Sequence, residues 1–111
     1  MNKKQREQLT KLRGQLEEAV SSIREVVSEL ETIRDEEQEK YENLSEGLQQ
    51  GPTGEALEES AERVGEAADQ SQTVADDGDE IIVELQSLIE RLEELAENGD
   101  DATATVEDAA G

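Results

Sequence analysis

Apolar residues recur at alternating steps of three and four positions through two long stretches of this 111-residue chain. A mean step of 3.5 residues keeps one stripe of an α-helix facing a neighbour, as in coiled coils and helical bundles. Tyr41 is the only aromatic residue and Pro52 the only proline, and Cys is absent, so a β-sandwich or a disulfide-rich module lacks its usual residues. The pattern therefore predicts an all-α fold.

The first stretch predicts a helix from about residue 2 to residue 43. Asn2 is expected to cap the first free amides, with Gln5 reaching back to complete a capping box. The predicted seam residues are Leu9, Leu12, Leu16, Ala19, Ile23, Val26, Leu30 and Ile33. Residues 44–54 then contain three glycines and the proline, which predicts a turn over residues 44–53.

The second stretch predicts a helix over about residues 54–97, with Thr53 as its N-cap. Its seam consists of Leu57, Ala61, Val64, Ala68, Ser71, Ala75, Gly78, Ile82, Leu85, Ile89, Leu92 and Ala96. Residues 76–79 are poor helix formers, but the register does not change across them, so one continuous helix with a weak point is favoured over two shorter helices. Residues 99–111 are small, acidic and aperiodic, which predicts a disordered tail.

Two helices of this length joined by a short turn should fold back as a long antiparallel hairpin. Ile23 and Val26 would then lie opposite Ala75 and Gly78. Because one hairpin buries only a thin stripe on each helix, we expect a homodimer or larger oligomer, with two hairpins forming a four-helix bundle. The strip expected to meet the second copy consists of Val20, Val27, Val74, Ile81, Leu88 and Leu95.

The formal net charge is −21, and within residues 41–111 only Arg63 and Arg91 are basic. Rows of carboxylates on a rigid helix imitate the charge of a nucleic-acid duplex, so the expected partner is a host protein with a basic surface and not nucleic acid itself. Simple solubility or adaptation to high salt would explain the same acidity. The candidate acidic face consists of Glu58, Glu59, Glu62, Glu66, Asp69, Asp76, Asp77, Glu80 and Glu84.

The start of the chain is basic. This candidate basic tip consists of Lys3, Lys4, Arg6, Lys11 and Arg13. In an antiparallel hairpin these cations should pair with the acidic end of the second helix. An anion-binding tip assembled in an oligomer is the alternative.

The absence of His and Cys removes two common catalytic groups, and we expect no enzyme activity, no cofactor and no metal. The carboxylates of Glu55, Glu58, Glu59 and Glu62 have a spacing that holds Mg²⁺ in all-helical nucleotide pyrophosphatases, but a solvated helix face explains them better. Residues 76–80 do not fit an EF-hand loop, whose glycine is the sixth residue. Without a signal peptide or an apolar run long enough to span a membrane, the expected location is the cytoplasm, that of the host cell if the protein is viral.

Residues 33–49 read IRDEEQEKYENLSEGLQ and lead through residues 54–58 into a Glu/Ala-rich helix. Over roughly residues 20–97 the chain resembles a family of small, largely uncharacterised acidic helical proteins of bacteriophages and bacteria. The resemblance implies a viral or mobile-element setting, in which small acidic proteins counter host defences, and it carries over no catalytic or ligand residue.

These observations predict a non-enzymatic acidic interaction protein. It would be an inhibitor or nucleic-acid mimic that acts on a host defence protein or a nucleic-acid-binding protein. The alternatives are a structural coiled-coil oligomer and, more distantly, a nucleotide-binding sponge or metal-dependent nucleotide enzyme.

Overall fold

A computed structural model describes residues 1–98, and all of the regular structure in that range is helical. The elements are α1 (Lys3–Glu42), α2 (Glu46–Gln49) and α3 (Pro52–Asn98). No strand occurs within residues 1–98, so the predicted all-α fold class is confirmed. The tail predicted for residues 99–111 lies outside the described residues.

A reciprocal pair of hydrogen bonds closes the beginning of α1. The amide of Gln5 donates to Asn2 Oδ1 at 2.8 Å, and the amide of Asn2 donates to Gln5 Oε1 at 3.2 Å. Each side chain thus satisfies an amide that has no carbonyl partner within the helix. The predicted capping box is confirmed.

The segment between the long helices differs from the predicted open turn because it contains the short helix α2. Helix α3 begins at Pro52, two residues earlier than predicted, and the carbonyl of Gly51 accepts the amide of Glu55 at 3.0 Å. Proline suits the first helical position because its fixed φ is helical and its missing N–H has no partner there. Thr53 is therefore inside α3, and its prediction as the N-cap is wrong.

Close backbone packing holds this junction together. A Cβ atom added to Gly54 would lie 2.5 Å from the carbonyl carbon of Gln49, so the backbone approach requires a residue without a side chain. Gln49 also donates from Nε2 to the carbonyl oxygen of Tyr41 at 3.0 Å. This bond ties the end of α2 to the last turn of α1.

Helix α3 continues through residues 76–79 without interruption. A Cβ atom on Gly78 would lie 2.5 Å from Val20 Cγ2, so the valine side chain occupies the space above the glycine. Gly78 lowers the stability of the helix by about 1 kcal/mol relative to alanine. Its lack of a side chain leaves room for Val20 to pack in the core. Ile23 and Val26 were expected opposite Ala75 and Gly78, but Val20 is the residue that meets Gly78, and Val26 is exposed.

The described residues divide into two compact units. Unit 1 contains residues 1–20 and 77–98, and unit 2 contains residues 21–76. Within unit 1, the Arg13 guanidinium donates a hydrogen bond to Gln86 Oε1 and Val20 packs on Gly78. Residues later in α1 therefore contact residues earlier in α3.

Unit 2 has a core of small residues. Val27 and three alanines are buried here, namely Ala61, Ala68 and Ala75. Arg24 Nη2 lies 3.2 Å from Asp76 Oδ1, and a Cβ atom on Gly65 would lie 3.2 Å from Arg34 Cδ. The contacting residues again run in opposite order along the two helices.

The predicted seam of α3 is partly or fully buried at every position, whereas only half of the predicted seam positions of α1 are partly buried. Leu9, Leu16, Ile23 and Leu30 are partly buried, and Leu12, Ala19, Val26 and Ile33 are exposed. Their places are taken by the next residue in each case, Arg13, Val20, Val27 and Arg34. Half of the predicted stripe keeps its place and half shifts by one residue, which turns the buried face of α1 by about 50°.

Candidate functional site

Every carboxylate of the candidate acidic face is exposed to solvent. These side chains lie at the positions of α3 between its seam residues, where a helix presents them outward. The only basic residues of α3 are Arg63 and Arg91, which are also exposed. The result is a long helix whose exposed charged residues are almost all acidic.

Some of these carboxylates take part in ion pairs. Glu59 Oε1 lies 2.9 Å from Arg63 Nη2, one helical turn away. Asp76 Oδ1 lies 3.2 Å from Arg24 Nη2 and also accepts a hydrogen bond from Gln72 Nε2 at 3.0 Å. Exposed pairs of this kind contribute between about 0 and 1 kcal/mol, so they leave the acidic face available to a partner.

Within residues 1–98, no group of three or more acidic side chains is arranged to hold a metal ion. The two acidic stretches considered for Mg²⁺ and Ca²⁺ belong to the regular helix α3. A helix directs neighbouring side chains about 100° apart, which separates carboxylates that are adjacent in sequence. Residues 76–80 are therefore spread around the helix, and the carboxylates of Glu55, Glu58, Glu59 and Glu62 are exposed to solvent.

The candidate basic tip divides between solvent and packed positions. Lys3, Lys4 and Lys11 are exposed, whereas Arg6 and Arg13 are half-buried. Arg6 donates to the carbonyl oxygen of Met1 at 3.0 Å, and Arg13 Nε lies 3.5 Å from Glu17 Oε1.

One acidic residue from the end of α3 lies beside this tip. Lys3, Arg6 and Glu93 line the same surface depression, together with Glu7 and Thr10. Unit 1 thus brings basic and acidic side chains together at one place.

An uncharged surface accompanies the seam on each long helix. The apolar stripe of α1 consists of Leu12, Ala19, Val26 and Ile33, and that of α3 consists of Ala67, Val74, Ile81, Leu88 and Leu95. The large residues in the two stripes are 41–55% exposed. Each stripe repeats every seven residues and contains no charged side chain, in a chain in which 37% of the residues are charged.

The α3 stripe includes the four residues predicted for a second apolar strip. The prediction that Val20 and Val27 belong to that strip is wrong, because both valines are buried within the single chain. The α1 stripe supplies Leu12, Val26 and Ile33 instead. Tyr41 was the signal for this rotation, because it follows Val20 and Val27 at heptad intervals and is partly buried like the seam.

Comparison of the chain with protein-family models, with curated proteins and with solved structures finds no match. Among the helices of residues 1–98, none combines the length and apolar character needed to cross a membrane.

Proposed function

We propose that α1 and α3 form an antiparallel two-helix hairpin, and that two such hairpins associate as a four-helix bundle. The opposite order of contacting residues within each unit supports the antiparallel direction. Each long helix also carries an apolar seam together with one apolar flank. This wider pattern is typical of bundle helices, whereas a two-stranded coiled coil needs only the seam.

We propose further that the protein is a non-enzymatic interaction protein whose acidic face binds a basic surface on another macromolecule. The exposure of every carboxylate of that face on one continuous helix is the observation that carries this proposal. Duplex DNA presents one negative charge per about 1.7 Å of its axis. A rigid row of carboxylates can compete for a protein groove that attracts such a charge density.

The resemblance of residues 20–97 to acidic helical proteins of bacteriophages and bacteria suggests the biological setting. The target would be a host defence protein or a nucleic-acid-binding protein in the bacterial cytoplasm, and the chain would inhibit it by occupying its anion-binding groove. The acidic face would contribute mainly to the association rate and to specificity, because complementary charge steers encounter more than it increases affinity.

Two variants with the same change in charge test this proposal. The acidic-face variant carries E62Q, E66Q, D69N and E80Q, and the matched control carries E18Q, E25Q, E29Q and E36Q. All eight positions are exposed. Capture from a bacterial lysate at low salt should recover the same basic protein with the unmodified chain and with the control, and about tenfold less with the acidic-face variant.

The recovered protein should also release labelled duplex DNA when the chain is added, as measured by fluorescence anisotropy. Its affinity for the chain should fall steeply between about 50 and 200 mM salt, because exposed charges are screened over this range. Equal recovery by the two variants would contradict the proposed role of the acidic face.

A structural coiled-coil oligomer is the second candidate, and the uncharged stripes favour it. Contacts through apolar residues do not weaken when salt screens charge, and screening relieves the repulsion between acidic chains. Assembly that persists or strengthens in high salt, without any basic partner, would therefore support a scaffolding role.

A further inference from the structure

The apolar stripes of α1 and α3 form a surface that binding to a basic partner leaves unused. Val20 packs on Gly78 in unit 1, and Arg24 pairs with Asp76 in unit 2. Continued along an antiparallel pair, this register brings Leu12 level with Leu88 in unit 1. In unit 2 it brings Val26 level with Val74.

The two stripes face the same side of each unit. On both helices, a stripe residue precedes a seam residue by one position, as Leu12 precedes Arg13 and Leu88 precedes Ile89. One residue corresponds to a rotation of about 100° around the helix axis. Viewed from one end of an antiparallel pair, successive residues turn clockwise on one helix and anticlockwise on the other. A residue one position before the seam therefore lies on the same side of the seam on both helices.

We infer that a second copy of this chain covers the apolar stripes, and that the two copies meet stripe to stripe with their acidic faces outward. This inference rests on the self-association proposed above and assigns its surface. In a two-fold dimer the same patch of each copy meets its equivalent on the other. Like charges within the patch would therefore repel each other across the interface. An uncharged patch avoids this repulsion.

Charge favours this face over every other side of the helices. Each copy has a net charge of −21, so two copies repel wherever carboxylates would be brought together. The positions of α3 on the side away from its stripe include Glu62, Asp69 and Asp76. The stripes are the surface along which two such chains approach without placing like charges in contact.

Each copy also leaves much of its apolar surface uncovered. Only six apolar residues are buried among residues 1–98, and three of them are alanine, whereas larger apolar residues remain exposed. Within each unit, exposed apolar residues stand on both helices, with Leu12 and Leu88 in unit 1 and Val26 and Val74 in unit 2.

A natural absence of cysteine allows the face to be tested with single thiols. Leu88→Cys places a thiol on the α3 stripe, and Val83→Cys places one at an apolar residue that is 64% exposed on the other side of the helix. At about 100 μM protein, the thiol at position 88 should react with a maleimide at least about tenfold more slowly than the thiol at position 83. The difference should disappear on dilution below the dissociation constant of the dimer.

Sedimentation of the full chain supplies the second measurement. The expected mass at about 100 μM is twice the 12.2 kDa of one chain. Leu88→Glu should weaken the association about a hundredfold or more by placing a charge on the face, while Val83→Glu retains the dimer. Circular dichroism of both variants at matched concentration checks that each remains helical.

The possible outcomes test the assigned surface and the self-association separately. A dimer with a protected thiol at position 88 supports the inference. A dimer in which the two thiols react equally fast overturns the assigned face and leaves self-association standing. A monomer at about 100 μM overturns both and leaves the stripes to a different protein, and none of these results depends on the acidic face having a basic partner.

Discussion

Helices α1 and α3 are both long and both follow a heptad pattern, but the predicted seam is at least partly buried along all of α3 and at only half of its positions on α1. On α3 the buried side is marked by small residues, with Ala61, Ala68 and Ala75 among the most buried of the chain. Both helices also carry a second apolar stripe one position before the buried one, as in the pairs Val26 and Val27 on α1 and Leu88 and Ile89 on α3, but α1 has no row of small residues to mark which stripe is buried. An abundance of apolar residues therefore fixes the orientation of a helix less firmly than a row of small ones.

The same difference extends to charge. The buried face of α1 includes Arg13 and Arg34, whose guanidinium groups donate hydrogen bonds to Gln86 and Asp35. Arg34 lies beside Gly65, where a Cβ atom would be 3.2 Å from Arg34 Cδ. Small residues on α3 thus make room for the large polar residues of α1, and the partner helix determines which stripe of α1 is buried.

The largest effect that tests this comparison is expected from two adjacent valines. Val27 is 4% exposed and Val26 is 48% exposed, although the residues are identical and share one helix. Val27→Ala should lower the free energy of unfolding by about 2 kcal/mol, because it removes buried methyl groups and leaves a cavity. Urea unfolding followed by circular dichroism measures the difference.

Val26→Ala is the matched control. At the lowest protein concentrations it should cost less than about 0.5 kcal/mol, and its cost should increase with concentration if a second copy covers the stripe. The effect of Val27→Ala should not depend on concentration in this way. Equal effects of the two substitutions at all concentrations would show that the buried face of α1 is assigned wrongly.

The helical fold could be predicted from the sequence because it depends on local periodicity and on chain ends that carry their own signals. Asn2 and Gln5 form the predicted cap because both partners lie within one turn of each other. The acidic face was also predictable, since carboxylates at positions between seam residues face solvent on any amphipathic helix.

The rotation of α1 and the shifted pairing at Gly78 could not be predicted in the same way. Both depend on contacts between residues far apart in the chain, such as Val20 with Gly78. Leu12 and Val26 would satisfy a heptad seam as well as their neighbours do. Contacts with α3 determine which of the two stripes is buried, and the sequence of α1 alone does not specify those contacts.

A second prediction concerns Gly78, where α3 approaches α1. Gly78→Ala removes a poor helix former, which by itself stabilises a helix by about 1 kcal/mol. The added methyl group would meet Val20 Cγ2 at 2.5 Å, and overpacking of this kind costs about 1–3 kcal/mol. In the Val20→Ala background the clash is absent, so the same substitution should become favourable, with a coupling free energy of at least about 1 kcal/mol.

Gly14 provides the control on the other helix, because nothing lies within 4 Å of the position that its Cβ atom would take. Gly14→Ala should therefore stabilise the protein by about 0.5–1 kcal/mol in either background. Thermal unfolding of the four combinations at Gly78 and Val20 measures the coupling. A Gly78→Ala variant as stable as Gly14→Ala would mean that Val20 does not occupy this position.

The smallest expected effect comes from the way the two helices begin. Side chains close the start of α1, where Asn2 Oδ1 accepts the amide of Gln5 at 2.8 Å, whereas α3 starts at Pro52 with Thr53 already inside the helix. Asn2→Ala should cost about 0.5–1 kcal/mol, because it leaves the amide of Gln5 without its side-chain acceptor. Thr53→Ala should change stability by less than about 0.5 kcal/mol, and hydrogen exchange should locate the loss for Asn2→Ala in the first turn of α1. A Thr53→Ala effect as large as that of Asn2→Ala would restore Thr53 as the cap and place the start of α3 two residues later.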